Sequence, residues 1–178
     1  LAAYINSLDK YGNSPYRDED GSLTNAGERG KLIFTNMQCG LCHSGNDFSD
    51  SEAGLFHDVG SIKASSGTRL EKTLLGFDCP TLKGLWMSSP YLHDGSAKTL
   101  NDALASYDGT VGHADLNNLS QTEMDDLVAY LMQLDDNEVS GMPFMNLKLT
   151  APEHYSIIQL NEARQVNIET NYEQITEV

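Results

Sequence analysis

Apolar residues recur at helical spacing in three main stretches of the chain and at near-alternate spacing only towards its end. In the first stretch Ala26, Gly30, Ile33, Phe34 and Met37 share a face, which predicts a helix starting at Thr24 or Asn25. Asn25, with Glu28 three residues on, supplies a capping pair. In the second, Leu100, Ala103, Leu104 and Tyr107 form one stripe behind Thr99, and Thr99 with Asp102 resembles a capping box. In the third, Met124, Leu127, Val128, Leu131 and Leu134 face inward behind Ser120 and Glu123, another box. A short helix is expected after Pro80, over 80–87. Residues 44–80 are rich in Gly, Ser and Asp and read as loop.

The ends differ from this middle. Leu1, Ile5 and Leu8 share a face, and residues 1–9 match Leu127 to Asp135 at five of nine positions. Chance similarity of two amphipathic helices is the plain explanation; the sharper one is the last helix of a preceding, related domain. Residues 10–23, with Gly12, Pro15 and Gly21, read as a linker. The domain proper is placed at 24–137. Residues 138–178 read as a β-rich tail, with strands expected around Leu147 to Leu149, Tyr155 to Leu160 and Gln165 to Thr170.

The longest uninterrupted apolar run, Leu127 to Met132, has six residues, against the roughly 20 a bilayer span needs. No charged segment followed by an apolar one opens the chain, so no signal peptide is expected within it. The first residue is not Met, so the chain reads as a processed or excised piece. Eleven Lys and Arg face 26 Asp and Glu, a formal charge of −15. Nucleic acid is excluded as a partner, because phosphate binding needs a basic patch. We read the charge as a solvated acidic surface rather than a dedicated docking face, although it also steers cationic partners.

Of three cysteines, an odd count that argues against a disulfide framework, two lie in Cys39-Gly40-Leu41-Cys42-His43, the c-type haem attachment pattern. Two thiols at this spacing can add across the vinyl groups of haem, and the adjoining imidazole then sits beneath the iron. A structural zinc site would need a second ligand pair, which His57, His93 and His113 do not form. A thioredoxin-type dithiol would follow a strand in a βαβ unit, and the segment before this motif is helical. Gly30 and Phe34, four apart, share a face. Gly30 allows close approach of the 120–135 helix, which offers Tyr130 and Leu131.

A helix with Gly-x-x-x-Phe, the haem motif and a final Leu127-Val128-Ala129-Tyr130-Leu131 helix together resemble the class I cytochrome c fold. A more specific likeness lies in Cys79-Pro80-Thr81-Leu82-Lys83-Gly84-Leu85-Trp86, in Ser89-Pro90-Tyr91-Leu92-His93-Asp94-Gly95 with Thr99-Leu100, and in Phe56-His57-Asp58-Val59-Gly60. This order is similar to the C-terminal haem domain of bacterial di-haem cytochrome c peroxidases and their methylamine-dehydrogenase-maturing relatives, over about residues 22–136. The resemblance implies an all-α, cytochrome c-like helical domain around one covalent haem, here with a short β-strand tail. In that family this domain holds the haem through which electrons enter, and a preceding domain holds the peroxide-reacting one. The tail weakly resembles the first strands of bacterial immunoglobulin-like domains.

The sixth iron ligand separates electron transfer from peroxide chemistry, since a filled site passes electrons and an open one binds peroxide. His113 is the first choice, six residues before Leu119-Ser120, where small class I cytochromes place their Met ligand. A surface loop histidine is its plain reading. Tyr107 is second, 14 residues after His93, where the di-haem enzymes place Met or Tyr; core packing is its ordinary role. Met87 is third, and His93 fourth, because the family counterpart of His93 lies near the haem without ligating it. Trp86 is expected to pack on the haem or the core beside it. Lys63 or Arg69 could pair with a haem propionate, and solvated loop charges are the alternative. Cys79 stands where the family pattern has Thr and reads as a small buried hydrophobe.

The expectation is therefore a mono-haem c-type cytochrome domain that carries out electron transfer within a larger secreted redox protein, in the bacterial periplasm or outside the cell. Its partner would be another redox protein or a neighbouring domain. A fragment of a di-haem peroxidase-like enzyme is the alternative, and a haem-based ligand sensor a third.

Overall fold

A computed structural model of the chain describes residues 2–6, 10–60, 62–105 and 115–138. Among these are helices α1 (Ala2–Asn6), α2 (Asn25–Asn36), α3 (Leu100–Ala105) and α4 (Gln121–Leu131). Two small antiparallel pairs join them: β1 (Phe56–His57) with β4 (Phe77–Asp78), and β2 (Thr68–Arg69) with β3 (Lys72–Thr73). The expected tail strands lie outside the described residues, as do Tyr107 and His113.

The fold is built on the crossing of α2 and α4. A side-chain carbon at Gly30 would stand 2.0 Å from the Asp126 carbonyl oxygen and 2.7 Å from Tyr130 Cβ, so only glycine lets the two backbones meet there. Phe34 then packs edge-on against Tyr130, ring centres 5.5 Å apart, and against Phe48 at 6.1 Å. Leu23, Leu100, Leu116, Leu127, Leu131 and Leu134 complete the buried cluster. Arg29 brackets the outer side of the crossing with two bonds to the Asp126 carboxylate, 2.6 and 2.7 Å.

Local chemistry sets where the helices begin. Thr24, not Asn25, caps α2, accepting from Gly27 N, because the Thr24 amide is itself fixed by Gln133 Oε1 from the end of α4. Thr99 and Asp102 exchange bonds at 3.0 and 3.1 Å at the start of α3. Ser120 and Glu123 do the same at α4. After Pro80 a single tight turn forms, Leu85–Met87, entered through Gly84, whose φ of 74° favours glycine. Gly84 N bonds the Leu134 carbonyl, which ties this turn to the end of α4.

Residues 10–23 lie against the same end of α4. Asp136 accepts from the amides of Tyr11 and Gly12, and Asp135 from that of Ser14. Arg17 reaches Asp135 at 2.8 Å and Glu138 at 3.1 Å, and Lys31 also meets Glu138. No helix among the described residues is long and apolar enough to cross a membrane.

Candidate haem-attachment site

Directly after α2 the chain turns through Gln38, in the left-handed region at φ 59°, into the short turn Cys39–Leu41. The amides of Cys42 and His43 both bond the Cys39 carbonyl. This turn sets two thiols and one imidazole in succession on the end of a helix fixed in the core.

His43 is held by its Nδ1, 3.1 Å from the Phe48 carbonyl oxygen. A carbonyl can only accept, so Nδ1 carries the proton and Nε2 is the nitrogen left for a metal. Desolvation is the largest influence on this imidazole and holds its pKa below the ordinary value, with the Phe48 carbonyl working against it. The ring is thus neutral, the form that ligates metal. Phe48 is fully buried and its backbone sits at φ 49°. Its ring anchors in the core while its carbonyl aims at His43, so one residue couples the helix crossing to the site.

No disulfide joins Cys39, Cys42 or Cys79. Burial pushes the Cys39 thiol up to about 12 and Cys79 likewise, so both are neutral thiols near pH 7. Cys79 is buried, as its reading as a small hydrophobe requires, but it also makes polar contacts. Its Sγ lies 3.4 Å from His43 Nδ1 and 3.5 Å from the Cys42 carbonyl oxygen. Ser49 Oγ donates to the Cys79 carbonyl at 2.6 Å, and Thr81 Oγ1 to that of Asp47. These bonds zip the 79–81 segment to the 44–50 loop.

A second pair flanks the motif. His57 Nε2 meets Asp50 at 2.9 Å, with both side chains nearly closed to solvent. Donor atoms of Cys42, Asp50 and His57 lie within 4.8 Å of one another. That is one donor short of a closed tetrahedral zinc site. The donor set fits a c-type haem better: two thiols at the attachment spacing and a neutral imidazole with Nδ1 already occupied.

The remaining candidates are more dispersed. His93 is exposed, stacks on Phe77 with ring centres 4.3 Å apart, and has Nε2 3.1 Å from Ser66 Oγ. Trp86 is half-buried beside the exposed Met87 in the turn after Gly84. Lys63 pairs with Asp94 at 2.6 Å, and the Arg69 guanidinium lies 4.3 Å over the Phe56 ring. Sequence reasoning did not assign roles to Phe48, Asp50 or the buried Lys83. For Phe48 the available signal was an aromatic five residues after the motif histidine in an otherwise polar loop.

Known proteins resemble this chain in sequence and fold. The family described as RoxA-like, cytochrome c-like, matches residues 76–110. The gamma subunit of hydrazine synthase from Kuenenia stuttgartiensis is 33% identical over 175 aligned residues, covering 75% of this chain and 48% of that protein. The methylamine utilization protein MauG of Methylophilus methylotrophus is 29% identical, over 66% of this chain and 39% of its own length. Cytochrome c peroxidase Ccp of Escherichia coli is 28% identical, over 67% and 27%. A solved hydrazine synthase structure from Kuenenia stuttgartiensis superposes with a TM-score of 0.59 at 30% identity, covering 75% of this chain and 54% of that one. The chain thus spans about half or less of the length of these relatives.

Proposed function

This chain carries a cytochrome c-like domain related to the di-haem cytochrome c peroxidases and MauG, and from that premise we propose that it is a mono-haem electron-transfer domain. Its relatives imply haem c as the cofactor. When bound, such a haem supplies a one-electron iron couple. In this reading the thiols of Cys39 and Cys42 hold the group through thioether bonds and His43 Nε2 ligates its iron. The observation that carries the proposal is the bond from His43 Nδ1 to the Phe48 carbonyl, which fixes the tautomer and orientation a proximal ligand needs.

The other assignments extend that reading. Trp86, His93 and Tyr107 line the haem, and His113 is the distal ligand. For His93 the Phe77 stack and the Ser66 contact argue against a place on the iron. Two imidazoles lower the reduction potential relative to His with Met, so the domain works at low potential. Residues 24–137 form this domain, with residues 1–9 as the last helix of a related domain before the 10–23 segment and residues 138–178 as a β-rich tail. The redox partner is a separate protein or a neighbouring part of a longer parent, and because c-type haem is attached outside the cytoplasm, the location is periplasmic or extracellular.

Likeness to a cytochrome c peroxidase favours, as a second reading, a fragment of a di-haem peroxidase-like enzyme. The single Cys-x-x-Cys-His motif of these 178 residues argues only against peroxidase activity in this chain by itself. Carbon monoxide added to the reduced protein discriminates between them. A six-coordinate carrier leaves its spectrum unchanged over minutes, whereas rapid formation of a carbonyl complex would replace electron transfer by ligand-binding chemistry.

A further inference from the structure

The third cysteine is not part of the attachment motif, yet it stands against the motif's histidine. Cys79 Sγ is 3.4 Å from His43 Nδ1, while the Phe48 carbonyl is 3.1 Å from the same nitrogen. The Phe48 carbonyl and the Cys79 sulfur both lie in reach of the nitrogen's one proton, the geometry of a three-centre hydrogen bond, and the Pro80 backbone also bonds the ring. The Cys79 S–H has acceptors of its own, the carbonyls of Cys42 at 3.5 Å and Pro80 at 3.9 Å. With the S–H directed at either, the sulfur lone pairs are left for two N–H donors, the imidazole and the Asp50 amide. The placement is enforced: Cys79 is buried, its carbonyl is clamped by Ser49, and the next residues are tied to Asp47.

We propose that Cys79 is a positioning residue for the haem iron, acting through His43 as a second acceptor at Nδ1 and lowering the reduction potential of the domain. This rests on His43 being the proximal ligand. An acceptor at Nδ1 makes the imidazole more electron-rich, and an electron-rich ligand stabilises ferric over ferrous iron. The Phe48 acceptor is backbone and the same for any residue there. The sulfur is a side chain, so residue 79 is where sequence adjusts the potential.

The test is redox titration of the haem-loaded protein and of two variants, Cys79→Val and Cys79→Ser. Valine keeps an apolar side chain in the site but has no acceptor. It should shift the iron equilibrium towards the ferrous form by about tenfold, ~59 mV for one electron. Serine keeps an acceptor, so its potential should stay at or below that of the parent. If the valine variant does not load haem, Cys79→Ala takes its place with the same expected direction. An unshifted potential in the acceptor-free variant overturns the proposal. So does an equal rise in both Val and Ser, which would mark a packing effect alone. Absence of covalent haem from the parent protein would instead remove the proximal-ligand reading, and the inference with it.

Discussion

Arg17 and Asp135 meet at 2.8 Å where both side chains are closed to water. Burial alone would raise the Asp135 carboxyl, but hydrogen bonds from the amides of Ser14 and Asn137, with Arg17, carry it below its ordinary value of 3.8. A carboxyl depressed in the folded state contributes stability that is complete above the unfolded value and lost as pH falls through the folded one. Stability should therefore decline as pH drops below about 4. Asp135→Asn should cost roughly 1.5–3 kcal/mol at neutral pH, since the buried Arg17 guanidinium keeps Glu138 but loses the nearer of its two carboxylates. Urea unfolding at several pH values checks both, and an acid limb as steep in Asp135→Asn as in the parent would remove Asp135 from the account. None of this was legible in the sequence, because the partners are 118 residues apart and Arg17 stands in a stretch whose composition reads as linker. The polar contacts of Cys79, 36 residues from His43, escaped for the same reason: nothing local distinguishes a buried thiol that only packs from one that meets an imidazole.

Among the elements, the α2–α4 crossing was the most legible, since its signals are local and periodic. Gly30, Phe34 and Tyr130 declared a close helix contact by spacing alone, and Ser120 with Glu123 and Thr99 with Asp102 marked two helix starts. The cap of α2 is Thr24 rather than Asn25, because Gln133, from the far end of α4, fixes the Thr24 amide. The small β pairs escaped notice because two-residue strands carry no alternation. Gly30→Ala tests the crossing. Its methyl would meet the Asp126 carbonyl at 2.0 Å, so the helices must separate, at a cost of about 3 kcal/mol. Thermal melting should show a lowered midpoint, and an unchanged one would mean that the helices do not meet at Gly30.

At the scale of the whole molecule, the helix crossing, the Phe48 loop and the motif form one continuous structure. The core orients the Phe48 carbonyl, that carbonyl orients His43, and His43 follows Cys42 in the chain. The spacing of Cys39, Cys42 and His43 was legible, because the three stand next to one another in the chain. The proposed distal residues, His113 and Tyr107, lie outside the described residues. The most direct test is to export the chain in a host that matures c-type cytochromes, then record its intact mass and visible spectrum. The account predicts the polypeptide plus one haem and a Soret band that survives denaturation, both lost when Cys39 and Cys42 are replaced by Ala. The bare polypeptide mass with no Soret absorbance would contradict it.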